Sequence, residues 1–240
     1  MIFFLKSILI YLGIITIIVF TADILRMYLL AQKSKILIKN VIPFERHLSN
    51  PQIKILVLGD STAYGTGSET SELTTAGRLG ALYPEASLTN LAVNGLRLEG
   101  LLKIVSTLDT KEHYSLILVQ IGANDIIRLT TLAKIKEEVK EMVAELSKKT
   151  DSLIILHSGD IGEAKFFPFY LKPILSYRSY RVRDIYIKIA KEYRVHYIDL
   201  IDSPAAEFLR TNPDLYYADD KLHLSGAGYG LWFNEIKKVL

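Results

Sequence analysis

The chain has 240 residues, half of them apolar and 23% charged, with a formal net charge of +3. That composition suits one folded domain plus an appendage and excludes a disordered chain. Lys and Arg are interspersed with Asp and Glu, so no basic stripe exists to neutralise successive phosphates, and nucleic acid is not an expected partner. The absence of cysteine removes disulfides, thiolate metal sites and cysteine nucleophiles together.

The first element is apolar. Residues 8–20 read ILIYLGIITIIVF, and residues 2–22 reach the roughly 20 residues a transmembrane helix needs if Lys6 snorkels to the interface. A cleaved signal peptide is the alternative, but its sites are poor, since Phe20 precedes Ala22 and Leu29 precedes Ala31 by two positions. The reading is one N-terminal membrane anchor over 1–24, a linker or juxtamembrane segment over 25–52, and a catalytic domain over 53–240. Arg26, Lys33, Lys35 and Lys39 follow the apolar run and only Lys6 precedes it, which favours a cytoplasmic domain. A helix this near the terminus also fits an anchor that sends the C-terminus outward, so both sides stay open.

After Asn50-Pro51 come five short runs rich in aliphatic residues: 53–58, 88–93, 116–121, 153–158 and 195–200. Near-continuous apolar runs suit strands buried on both faces. Helical patterns separate them, the clearest placing Leu132, Ile135, Val139, Met142, Val143 and Leu146 on one face. Others cover about 71–82, 97–107 and 177–193, and a last helix follows Ser225 as its N-cap. Alternating strands and helices predict an α/β three-layer sandwich around a five-stranded parallel sheet, whose ligands sit at the carboxyl ends of strands.

The first strand runs into Gly59-Asp60-Ser61-Thr62-Ala63-Tyr64-Gly65. A serine there stands on the active edge of the sheet, although the same tripeptide also makes an ordinary turn. Ala63 occupies the second glycine position of a Gly-x-Ser-x-Gly elbow, which disfavours the α/β-hydrolase fold. A serine nucleophile needs a base, and there are five histidines. His47 and His113 lie in polar surroundings, while His157 and His196 sit in apolar strand runs and are expected to be packed. His223 follows Asp220 by three residues in the loop before the last helix, a spacing that delivers a base and the carboxylate that orients it together. Asp219 competes for that second role. An oxyanion hole needs fixed donors, and two more strand ends offer the Gly95 backbone N–H and the Asn124 amide. Asp60 and Asp125 read as caps or turn residues.

Gly59-Asp60-Ser61, Gly95, Gly122-Ala123-Asn124-Asp125 and Asp220-Lys221-Leu222-His223 occur in that order, and the set resembles the SGNH or GDSL-type serine hydrolases. The resemblance implies a flavodoxin-like fold and an esterase or acylhydrolase that needs no cofactor and no metal. It further implies Ser61 as nucleophile, Asp220 and His223 as the rest of the triad, and Ser61, Gly95 and Asn124 as oxyanion donors. Thr62, Ala123 and Leu224 depart from the family pattern, which touches the subfamily rather than the reacting atoms. The implied partner is a small-molecule, lipid or carbohydrate ester, with the membrane held through the N-terminal helix. An acyltransferase using the same site and a membrane-tethered binding module without catalysis are the alternatives. A nucleotide site is disfavoured, because residues 59–67 lack the Lys-Ser or Lys-Thr pair of a phosphate loop. The segment Phe166–Pro173 is too apolar for a routine crossover. It suits an acyl-pocket wall or a bilayer contact, with Arg178, Arg181 and Arg183 near headgroups, or a loop packed on the sandwich.

Overall fold

The computed structural model describes residues 2–240. Helix α1 spans Ile2–Asn40 and ends just before Ile42-Pro43, where the proline ring disfavours helical backbone in the residue ahead of it. Every residue from Lys6 to Ala22 is exposed, although most are apolar. It is long and apolar enough to cross a membrane, which marks it as a candidate anchor or signal sequence. From Asp23 onward one face turns inward: Asp23, Arg26, Met27, Leu30, Ala31, Ser34 and Leu37 are all partly buried, with the spacing of three and four that defines a helical stripe.

The sheet contains β1 (Ile53–Gly59), β2 (Ala86–Asn90), β3 (Leu116–Gln120), β4 (Leu153–Leu156) and β5 (His196–Tyr197). The strands are parallel in the order β2-β1-β3-β4-β5, the doubly wound flavodoxin-like arrangement. Side chains alternate across the sheet. Leu56 and Leu58 of β1 therefore enter one core, and Ile55 and Val57 the other. The first core is closed by α4 (Leu98–Thr107), α6 (Leu132–Leu146) and α7 (Lys172–Tyr193). The second is closed by α3 (Thr75–Leu82), α8 (Pro204–Thr211) and α10 (Gly226–Ile236). Short helices α2 (Ser61–Tyr64) and α5 (Ala123–Ile127) follow the carboxyl ends of β1 and β3, and α9 (Pro213–Tyr216) packs between α8 and α10.

Residues 25–52, expected as a linker or juxtamembrane segment, touch the domain at several points along their length. Up to Asn40 they continue α1. Beyond it Arg46 exchanges backbone hydrogen bonds with Leu88 of β2, and its guanidinium donates to the carbonyls of Gly80, Tyr83 and Ala86. The segment thus straps the outer edge of β2 and hides unpaired backbone groups that an open edge would expose.

Two expectations change. The run 195–200 yields only a two-residue strand, because Asp199 accepts the N–H groups of Ile201 and Asp202 and turns the chain. His196, expected to be packed, lies exposed on this edge strand, whereas His157 is fully buried.

Candidate active site

β1 ends in Gly59, with φ +146, where an added Cβ would fall 1.9 Å from the Gln120 carbonyl oxygen. Only glycine lets the two strand ends approach this closely. Asp60 follows, its N–H donating to Gln120 O and its carboxylate accepting from the N–H and hydroxyl of Thr62. Thr62 is therefore half of a cap that fixes the turn carrying Ser61. Burial pushes the Asp60 carboxyl above the usual range, partly offset by those bonds.

Ser61 opens α2, and its Oγ lies 3.0 Å from His223 Nε2. His223 Nδ1 lies 2.5 Å from Asp220 Oδ2. Asp220 is wholly buried while Asp219 is exposed. The loop turns Asp220, and not Asp219, toward His223. The left-handed backbone of Lys221, φ +61, helps make that turn, and the N–H groups of Leu222 and His223 donate to Asp220 Oδ1. Burial raises the Asp220 carboxyl, but the His223 hydrogen bond and charge and a hydroxyl from Ser34 outweigh it and hold it down at about 2. It is a carboxylate throughout the neutral range. Such a row can take a proton from the serine hydroxyl and stabilise the imidazolium that results.

Two further groups share the cavity with Ser61 and His223. Gly95 occupies the third position of a turn closed by Leu96 N–H to Val93 O, with φ +76. The Asn94 side chain beside it accepts from the Thr66 hydroxyl at 2.6 Å. Asn124 lies in the first turn of α5. Its neighbour Asp125 is buried and accepts from Leu98 N–H and the Thr130 hydroxyl, anchoring α5 to α4. Asp60 and Asp125 thus brace the turns that carry Ser61 and Asn124. The Arg178 guanidinium donates to the carbonyls of Ile126 and Thr130 and fixes the far end of α5. Arg183 is paired with Asp199 and Asp202, and Arg181 lies near Asp184. Arg178 and Arg183 are thus engaged within the domain, whereas Arg181 is exposed.

The cavity holds about 230 Å³, and its walls include Ile38, Ile127, Ile161, Leu209, Tyr217 and Trp232. Phe167 of the apolar segment is buried in the first core, while Phe169 is exposed. The ring of Tyr170 lies 6.1 Å from that of Phe20 in α1. No group of three or more His, Asp or Glu residues is placed to hold a metal ion among the described residues. Sequence reasoning missed Ser34, which is separated from Asp220 by 186 positions and stands in no motif.

A flavodoxin-like sheet with a serine, a histidine and a buried aspartate at its carboxyl edge defines a serine-hydrolase-like α/β protein. Residues 57–231 match the GDSL-like Lipase/Acylhydrolase family, to which the chain belongs, and it is a hydrolase acting on esters. A search of curated proteins returned no match. Among solved structures, a member of the lipolytic protein G-D-S-L family from Veillonella parvula DSM 2008 superposes with a TM-score of 0.62 at 17% identity, covering 78% of this chain and 98% of that one. A lipase/acylhydrolase from Enterococcus faecalis gives 0.59 at 22% identity, covering 78% and 94%. An acetyl xylan esterase from Geobacillus stearothermophilus gives 0.61 at 20%, covering 79% and 94%.

Proposed function

We propose that this chain is a membrane-anchored serine esterase that cleaves carboxylic esters through an acyl-enzyme at Ser61. The observation that carries the reading is the unbroken row from Ser61 Oγ through His223 to the buried Asp220 carboxylate. In the proposed cycle Ser61 Oγ attacks the ester carbonyl carbon as its proton passes to His223 Nε2. The carbonyl oxygen becomes an oxyanion held by the N–H groups of Ser61 and Gly95 and by the Asn124 amide. Collapse breaks the bond to the alcohol, which leaves with the proton from His223. Water, deprotonated by His223, then attacks the acyl-enzyme, and the acid is released as Ser61 regains its proton.

We assign the apolar part of α1 to an uncleaved anchor. Cleavage after Ala31 would sever α1 between Leu30 and Ser34, inside its docked stretch. The contact of Phe20 with Tyr170, beside exposed Phe169, Ile174 and Tyr177, supports a catalytic domain that rests close to the lipid surface. An activity screen of the full chain in detergent micelles, on esters of increasing acyl length with Ser61→Ala as control, tests the chemistry. Hydrolysis that survives in that variant would refute the assignment of the nucleophile. A reporter fused at the C-terminus reads the side of the membrane.

A further inference from the structure

We propose that α1, besides anchoring the chain, completes the active site: Ser34 positions the triad carboxylate, and Ile38 forms part of the substrate wall. The proposal rests on the esterase reading above and adds to it a residue outside every motif of the catalytic domain.

The Ser34 hydroxyl has two acceptors within reach, Asp220 Oδ2 at 2.7 Å and its own helix carbonyl, Leu30 O, at 3.3 Å. It has one proton to give. The shorter contact is also the one to a charged acceptor, and charge-assisted bonds are roughly twice as strong as neutral ones. Asp220 is ionised and cannot donate, so the direction is fixed: Ser34 O–H donates to the carboxylate. Asp220 Oδ2 is the same atom that faces His223 Nδ1, while Oδ1 accepts the backbone N–H groups of Leu222 and His223. Among the described residues, Ser34 thus supplies the one donor to this carboxylate that comes from outside its own loop. Without it, part of a buried anion loses a partner, and the carboxylate can rotate away from the imidazole.

One helical turn further on, Ile38 reaches the cavity that also contains Ser61 and His223. Residues 34 and 38 are four apart and share a face. On the other side of Ser34, the same face carries Met27 into the first core, while Arg26 donates to Lys165 O at 2.8 Å. These contacts set the rotation of α1. A turn of about 100°, one residue of helix, would carry Ser34 off Asp220.

Steady-state kinetics of the full chain in detergent micelles, on a short and a long acyl ester, tests the assignment. Ser34→Ala should lower kcat about tenfold on both esters with KM within about twofold, because the bond acts on the triad and not on substrate. Ser34→Thr, which keeps the hydroxyl, should restore most of the rate. Ile38→Ala should instead raise KM for the long ester several-fold and leave the short one unchanged. Wild-type kcat in Ser34→Ala, or equal losses in the alanine and threonine variants accompanied by a lower melting temperature, would overturn the positioning role. An unchanged KM profile in Ile38→Ala would overturn the wall. If Ser61→Ala stays active, the esterase assignment itself fails, and that outcome is distinct from either of these.

Discussion

His223 Nε2 stands 3.0 Å from the hydroxyl oxygen of Ser61, although the two residues are 162 positions apart in sequence. The turn after β1 and the loop between α9 and α10, far apart in the chain, therefore meet within hydrogen-bond reach. Replacing Ser61 by alanine should abolish covalent labelling by a fluorophosphonate and lower kcat by about 10⁴-fold or more, since nothing else in the row can form an acyl-enzyme. Gel fluorescence of the labelled chain reads the first effect directly.

The neighbours Asp219 and Asp220 make an internal control. Asp220→Asn keeps the shape but presents a neutral amide to His223 Nδ1, and kcat should fall by roughly 10⁴-fold. Asp219→Asn alters an exposed side chain and should leave kcat within about twofold. Comparable losses in both would place the orienting acid elsewhere.

Asn124 lines the cavity at the start of α5, whose position is held by Asp125 and Arg178 rather than by Asn124 itself. Asn124→Ala should therefore leave the fold intact and reduce kcat by roughly 10²–10³-fold with little change in KM, as loss of one oxyanion donor does. Circular dichroism and steady-state rates check the two halves of that statement.

His157 makes stability depend on acid. Burial lowers its pKa from 6.5 to about 4, partly offset by the nearby Asp199 charge, and its Nδ1 lies 2.8 Å from the Tyr197 hydroxyl. An unfolded chain takes up a proton at this residue below pH 6.5, while the folded one resists until about 4. The stability this neutral ring contributes is present above 6.5 and is lost as pH falls toward 4, by about 3 kcal/mol at most. Urea midpoints across that window should fall less steeply in His157→Gln. Parallel slopes for the two proteins would assign the acid sensitivity to other groups.

Much of this arrangement was legible in the chain because it is written locally. Five apolar runs and the turn chemistry after each place Ser61, Gly95 and Asn124 on one edge before any coordinate is known. Local spacing also brought Asp220 within reach of His223. What sequence could not show depends on distant packing. Ser34 carries no motif, and its partner lies 186 positions away in the chain. Residues 25–52 read as a linker or juxtamembrane segment, yet Arg46 within them binds three carbonyls around β2. Arg178 and Arg183, which as isolated cations suit a headgroup surface, are consumed by carbonyls at and just beyond the end of α5 and by two aspartates. A cation's role follows from its neighbours, and periodicity does not name them.

The continuity of α1 makes it a ruler. On the anchor reading, the uncharged stretch ends at Ala22 and Ser34 follows twelve residues later, about 18 Å along the axis at roughly 1.5 Å per residue. The headgroup layer occupies only about 5–8 Å on each side of the hydrocarbon. On that reading Ser34 and the Asp220 carboxylate it touches stand farther along the axis than the headgroup layer is thick, while the Phe20–Tyr170 contact brings another part of the domain down to the lipid.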